Sequence, residues 1–128
     1  MEWQFHSDGP IYTQLVEQLT LRIVTGRYPP GQRLPSVREL AVEAGVNPNT
    51  MQRAMGELER KNLVFSQRTS GRFVTEDTAM LEAARHALAT QQLQSFLTAM
   101  EALGYGREEI ITLLETAQKE ETPNGTNS

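Results

Sequence analysis

Cysteine is absent from this sequence, so the chain can form neither disulfide bonds nor zinc sites built on cysteine. No stretch approaches the roughly 18 consecutive apolar residues of a membrane-spanning helix, and the N-terminal segment lacks the basic and apolar regions of a signal peptide. We therefore expect a cytoplasmic protein that does not enter a membrane. Its 128 residues suffice for one hydrophobic core and a small appendage, but not for two full-sized domains.

Motifs for catalysis and cofactor binding are lacking as well. His6 and His86 are isolated, with no second ligand at metal-binding spacing. There is no glycine-rich loop that could cradle a phosphate, and no recognisable nucleophile motif. We therefore expect no enzyme activity, no cofactor and no metal.

The net charge of −4 hides an asymmetry between the two parts of the chain. Residues 18–75 contain nine Lys and Arg against four Glu, a net charge of +5, whereas residues 77–128 contain three bases against eight acids, a net charge of −5. This pattern indicates a cation-presenting surface in the first part and a second part that stays away from a polyanion. Ordinary variation of surface charge is the alternative interpretation.

The spacing of apolar residues predicts three helices in the first 60 residues. Pro10 suits the first turn of a helix, and Gly26 ends that helix before the rigid turn at Pro29 and Pro30. The apolar residues of its inner face recur every four positions, at Ile11, Leu15, Leu19 and Ile23.

Two shorter helices follow, separated by Gly45 and Val46. Ser36 and Glu39 have the spacing of a capping box at the start of the first of these helices. Asn47 and Pro48 suit the cap and first position of the second. Its predicted inner face consists of Met51, Ala54, Met55 and Leu58. Two helices joined by a short glycine-containing turn are typical of a helix-turn-helix.

A β-hairpin is predicted next, because two short β-prone runs at 63–65 and 73–74 flank a polar segment. Its tip carries Arg68, Thr69, Ser70, Gly71 and Arg72. Three helices followed by a hairpin form a winged helix-turn-helix. We therefore predict a mainly α fold with a small β-hairpin wing, followed by two C-terminal helices.

The C-terminal part predicts a pairing surface. Residues 79–103 indicate one long helix, Gly104 and Gly106 break it, and a last helix begins near Glu108. Since one short partner helix cannot cover the apolar seam of the long one, we expect pairing with a second copy across a two-fold axis. The expected dimerisation residues are Leu93, Phe96, Met100, Leu103, Ile110 and Leu114.

The expected domains are 1–76 for DNA binding, 77–121 for dimerisation, and a disordered tail at 122–128.

The second helix of a helix-turn-helix places its N-terminal residues against base edges in the major groove of double-stranded DNA. Asn and Gln can form two hydrogen bonds to adenine, and Thr can bind a phosphate or pack against thymine. The candidates are Asn47, Asn49, Thr50, Gln52 and Arg53. Capping is the favoured role for Asn47, and Arg53 is equally well placed to pair with Glu57 four residues later.

Several ordered blocks of this sequence resemble the GntR family of bacterial transcription regulators. The blocks are Pro10-Ile11-Tyr12, residues 31–41 (GQRLPSVRELA), residues 45–50 (GVNPNT), Arg53-Ala54, Glu57-Leu58 and residues 71–74 (GRFV). The resemblance covers roughly residues 10–75. The remainder is similar to the YtrA-type subfamily, whose members carry two dimerisation helices in place of a large effector-binding domain.

The resemblance implies roles for several further residues. It implies that Arg38 contacts DNA and Ser36 a phosphate, although capping alone would explain Ser36. We expect the wing to offer Arg68, Thr69, Ser70, Gly71 and Arg72 to the backbone or minor groove of DNA. The resemblance also implies that Gly71 lets the wing approach DNA closely, while a positive φ alone would explain this glycine. Arg33 either binds phosphate or is solvated. Many members have arginine where this chain has Pro48, and another commonly basic position is occupied here by Gln52. The base preference of relatives therefore cannot be transferred to this chain.

These features predict a homodimeric, sequence-specific DNA-binding regulator that represses transcription from an inverted-repeat operator. The subfamily resemblance suggests a target operon for a membrane transporter, and any effector ligand stays unidentified. The alternative is a winged-helix protein-interaction module that does not bind DNA. The +5 segment and the polar outer face of the third helix argue against that alternative.

Overall fold

A computed structural model describes residues 2–121, and in this range it contains five α-helices and one two-stranded antiparallel sheet. The elements are α1 (Ile11–Val24), α2 (Val37–Ala44), α3 (Pro48–Arg60), β1 (Val64–Gln67), β2 (Gly71–Val74), α4 (Thr78–Ala102) and α5 (Arg107–Glu121). The predicted fold class, mainly α with a hairpin wing and two C-terminal helices, is confirmed. The predicted disordered tail lies outside the described residues.

The chain divides into two compact units, one ending at Leu88 and the other beginning at Ala89. The first unit contains α1 to α3, the hairpin and the first turns of α4, which the sequence analysis grouped with the C-terminal region. Its core joins the inner faces of the three helices to the hairpin and to Leu81 of α4. The predicted inward residues of α3 are all buried, whereas Ile11, the first residue of α1, is exposed.

The ends of α2 and α3 follow from local sequence. Ser36 and Glu39 form the predicted capping box, in which the Ser36 hydroxyl accepts from the Glu39 N–H at 3.1 Å and the Glu39 carboxylate accepts from the Ser36 N–H at 2.9 Å. Gly45 ends α2 with a left-handed φ of 71°. The Asn47 side chain then caps α3 by accepting from the Asn49 N–H at 2.7 Å. These caps fix the turn between α2 and α3.

The second unit consists of the rest of α4 and of α5. Gly104 turns the chain with a φ of 98°. The Gly106 N–H donates to the Glu109 carboxylate at 2.8 Å, so Glu109 caps α5 although position 106 has no side chain. No helix within residues 2–121 is both long and apolar enough to cross a membrane.

Candidate nucleic-acid interface

Helix α3 has one buried apolar face and one exposed polar face. Met51, Ala54 and Met55 are buried against α1 and α2, whereas Asn49 and Gln52 are exposed and Thr50 is half-buried. Asn47 acts as the helix cap, which is the role that the sequence favoured for it. The exposed amides therefore lie on the first two turns of α3, where a helix-turn-helix presents its reading residues.

The side chain of Arg53 stacks on an aromatic ring of α1. Its guanidinium carbon lies 4.5 Å from the centroid of the Tyr12 ring. Glu57 instead forms an ion pair with Arg60, with Oε1 and Nη2 2.7 Å apart. Hydrogen bonding to Arg60 lowers the pKa of Glu57. The Arg53–Glu57 pair that the sequence allowed is therefore not formed.

The wing is a hairpin of two four-residue strands, and it is attached to the end of α3. Phe65 pairs with Phe73 across the hairpin, and their rings stack with centroids 5.9 Å apart. Arg72, whose side chain is 20% exposed, donates from Nε to Glu59 Oε2 of α3 at 3.0 Å. The Ser66 hydroxyl donates to the same carboxylate oxygen. Arg72 is thus neutralised within the protein, while Arg68, Thr69 and Ser70 are exposed at the tip.

The hydrogen bond from Ser66, followed by that from Arg72, lowers the pKa of Glu59 against an opposing effect of burial. The carboxylate is therefore ionised in the folded protein at neutral pH. An ionised Glu59 accepts from both strands of the hairpin, which holds the wing against the last turn of α3.

The segment before α2 runs beside the wing and braces it. The Leu34 N–H donates to the Arg72 carbonyl at 2.8 Å, and Arg33 forms an isolated antiparallel bridge with Phe73. The Arg33 Nε donates to the Ser70 carbonyl at 2.6 Å. Gly71 has a φ of 103°, and a Cβ there would lie 3.0 Å from the Arg33 Nε. Sequence reasoning assigned Arg33 to phosphate or solvent and missed this contact.

Helix α2 presents Arg38 to solvent. Arg38 lines an open groove of about 730 Å³ together with Arg33, Pro35 and Val42. Ser36, by contrast, is engaged in the capping box through both its hydroxyl and its backbone N–H. Both residues are exposed, but among the described residues only the Ser36 hydroxyl has a hydrogen-bond partner, so Arg38 is the one whose side chain is available to a ligand.

One of the nine cations in the positive segment is not at the surface. Arg22 is 1% exposed, and its guanidinium carbon lies 3.8 Å from the centroid of the Trp3 ring. Its Nε and Nη2 have no hydrogen-bond acceptor among the described residues. Burial lowers its pKa, against the opposing influence of Tyr28. The charge count of the sequence therefore overstates the positive surface.

The second unit exposes most of the residues that the sequence assigned to pairing. Leu93, Phe96, Leu103 and Leu114 are exposed, with Leu103 at 72%, and Met100 is half-buried. Ile110 is different, because it is 1% exposed within the single chain and so adds almost nothing to this exposed surface. The neighbouring apolar residues Tyr105, Ile111 and Leu113 are exposed as well.

The geometry agrees with the comparison to known protein families. The family described as bacterial regulatory proteins, gntR family, matches residues 11–74, which contain α1 to α3 and the wing. The uncharacterized HTH-type transcriptional regulator YhcF of Bacillus subtilis (strain 168) is 38% identical, over 91% of this chain and 96% of its own. The HTH-type transcriptional repressor YtrA of the same organism is 36% identical, over 71% of each chain.

Solved structures are similar as well. A GntR family transcriptional regulator from Listeria monocytogenes matches with a TM-score of 0.80 and 39% identity, covering 88% of this chain and 98% of its own. The structure of AraR(DBD) in complex with operator ORX1 matches with a TM-score of 0.51 and 28% identity, covering 59% of this chain and 99% of its own. The first likeness includes the C-terminal helices, and the second is to a protein bound to its operator.

Proposed function

Because this chain belongs to the GntR family of bacterial transcriptional regulators, and to its YtrA-type subfamily, we propose that it represses transcription by binding an inverted-repeat operator as a homodimer. The family consists of transcriptional regulators and not of enzymes. The observation that carries the proposal is the exposed polar face of α3, with Asn49 and Gln52 on a helix whose opposite face is buried. An amide side chain can form two hydrogen bonds to adenine in the major groove.

The remaining contacts divide by chemistry. Asn49 and Gln52 read base edges, and Thr50 contacts a phosphate or a thymine methyl group. Arg38 on α2 and Arg53 on α3 supply positive charge to this surface. Arg68, Thr69 and Ser70 contact the backbone or the minor groove from the wing tip. Arg33, Ser36, Asn47, Gly71 and Arg72 support these contacts, since each has a structural role in the free protein.

Pairing through residues 77–121 is supported by the exposed apolar side chains of the second unit, which begins at Ala89. Leaving Leu93, Phe96, Leu103 and Leu114 in water is unfavourable, and a second copy of the same surface covers them. A two-fold dimer doubles the phosphate contacts and presents two α3 helices to two half-sites. The half-sites are then related by the same two-fold axis, which makes the operator an inverted repeat.

Repression is supported by relatives of this chain, which include the transcriptional repressor YtrA and the transcriptional repressor NagR of Bacillus subtilis (strain 168). A dimer seated on a promoter blocks access to it, and this is the mechanism that we propose. A target operon encoding a membrane transporter rests on the subfamily resemblance alone. Mapping the selected operator sequence onto the source genome tests it.

The test is selection of a bound sequence from a pool of randomised DNA duplexes, followed by sequencing. The proposal expects enrichment of one motif made of two half-sites in inverted orientation. The variants Asn49→Ala and Gln52→Ala should shift the enriched bases, whereas Gln94→Ala on α4 should not. A protein-interaction module would retain no duplex at any salt concentration, and that result would overturn the proposal.

A further inference from the structure

Tyr12 connects α1 to the outer side of α3. It is the second residue of α1, its side chain is half-buried, and its ring lies against the guanidinium of Arg53 at 4.5 Å. The Tyr12 hydroxyl donates to Glu57 Oε1 at 3.5 Å. A cation over an aromatic face is attracted by the electron density of the ring. The ring is therefore in contact with two residues of α3 that are one turn apart.

Arg60, together with Tyr12, binds Glu57 and keeps it from pairing with Arg53. Arg60 donates to Glu57 Oε1 from Nε at 3.0 Å and from Nη2 at 2.7 Å. Glu57 would otherwise be the natural partner of Arg53, since four residues separate them on one helix. With Glu57 held by Arg60 and Tyr12, Arg53 stacks on the ring instead.

The Arg53 guanidinium carbon lies over the face of the Tyr12 ring, which offers no lone pair to the N–H groups. Arginine carries five N–H donors in a planar fork, and a cation–π contact does not use them up. No residue in the described part of the chain accepts a hydrogen bond from Arg53. Its N–H groups are therefore available for phosphate oxygens or base edges.

We propose that Tyr12 is a positioning residue that holds the Arg53 guanidinium in the orientation in which it contacts the duplex. This inference rests on the proposed function, because it concerns how Arg53 meets DNA. A long arginine side chain loses conformational freedom when it binds, and one that is already stacked has less to lose. Tyr12 itself does not have to touch the DNA.

A double-mutant cycle on DNA affinity tests the proposal. Tyr12→Leu removes the aromatic face but keeps an apolar side chain, and Tyr12→Phe keeps the face but removes the hydroxyl. Loss of an exposed cation–π contact should weaken binding of the selected duplex by about two- to fivefold in Tyr12→Leu. Tyr12→Phe should lose less affinity than Tyr12→Leu, because the aromatic face remains and Arg60 still holds Glu57 through two hydrogen bonds. In the Arg53→Gln background, Tyr12→Leu should cause no further loss.

The outcomes separate this inference from the proposed function. If the wild-type chain retains no duplex, the proposed function fails and the inference fails with it. If the wild type binds but Tyr12→Leu binds equally well, the inference alone is wrong. If Tyr12→Leu weakens binding equally with and without Arg53, Tyr12 acts on the fold and not through Arg53, which also overturns it. Circular dichroism of each variant without DNA verifies that the helices are intact.

Discussion

The Arg72 Nε donates to Glu59 Oε2 at 3.0 Å, and this contact ties the second strand of the wing to the last turn of α3. This contact holds the wing in place and also neutralises the charge of Arg72 within the protein. An arginine paired inside the protein releases no counterions when DNA binds, whereas an exposed arginine at a phosphate does. The two arginines of the wing, Arg68 and Arg72, should therefore contribute differently to DNA binding.

We predict that Arg68→Ala and Arg72→Ala have opposite signatures. Arg68→Ala should reduce the slope of log affinity against log salt by about 0.9 per protomer, since one phosphate contact is lost. Arg72→Ala should leave that slope unchanged and lower the free energy of unfolding by about 1 kcal/mol, because Glu59 loses a partner. Salt titration of duplex binding and urea denaturation measure the two quantities. Equal slope changes in both variants would contradict the assignment.

The stability that Glu59 provides should depend on pH. Hydrogen bonds from Ser66 and Arg72 lower its pKa in the folded protein. A carboxyl group of this kind stabilises the fold fully above its ordinary pKa of 4.5, and the effect is lost as the pH falls through the lower folded pKa. The difference in free energy of unfolding between wild type and Glu59→Gln should therefore be constant near neutral pH and shrink in acid. A difference that does not change with pH would refute this account.

The N-terminal segment should be held on α1 by two glutamines. Gln14 accepts from the His6 N–H at 2.6 Å and donates to its carbonyl at 2.9 Å, and Gln18 pairs with the backbone of Gln4 in the same way. The double variant Gln14→Ala/Gln18→Ala should release Trp3 to solvent and shift its fluorescence to longer wavelength. Trp3 is the sole tryptophan of the chain, so the signal is unambiguous. Gln52→Ala, on the outer face of α3, is the control and should cause no shift.

The features that sequence predicted correctly are local ones. Ser36 with Glu39, Asn47 with Pro48, and Gly45 act within a few residues of themselves, so cap and turn chemistry determines them without knowledge of the fold. The inner face of α3 was equally predictable because its apolar residues recur at helical spacing.

The features that sequence missed join distant parts of the chain. Arg33 reaches Ser70 across 37 positions, and Arg72 meets Glu59 across 13. The sequence counted Arg22 among the cations of the positive segment, but in the fold its guanidinium is packed against the Trp3 ring. Tertiary packing selects the partner of a long charged side chain, and neither composition nor periodicity records that selection. The amount of exposed positive charge was therefore the least predictable part of the site.

Two glycines should respond oppositely to alanine. Gly71→Ala should lower the free energy of unfolding by about 1–3 kcal/mol, because its φ of 103° disfavours a side chain and the new Cβ would meet Arg33. Gly56 lies inside α3, where a Cβ would make only an ordinary contact with Arg60 at 3.8 Å. Gly56→Ala should raise the free energy of unfolding by about 0.8–1 kcal/mol through helix propensity. Urea denaturation of the two variants measures both changes in the free energy of unfolding. A loss of stability in Gly56→Ala as well would contradict the prediction for Gly56.

Association of the chain should depend on the apolar surface of the second unit. Leu93→Glu should convert the proposed dimer to monomers, because it places a charge where we propose that a second copy packs. Thr98→Glu is the matched control on α4, since helical spacing puts position 98 on the side opposite to Leu93, Phe96 and Leu103. Light scattering gives the mass of each variant. If the Leu93→Glu variant is still a dimer, the interface does not include the surface around Leu93.

We propose that two copies of the chain read one inverted repeat through their α3 helices and wings. Sedimentation of the protein with a duplex that carries the selected operator, alongside a duplex that carries one half-site, tests this arrangement. We expect two protomers per full operator and much weaker binding to the single half-site. One protomer bound per operator, with equal affinity for both duplexes, would contradict it.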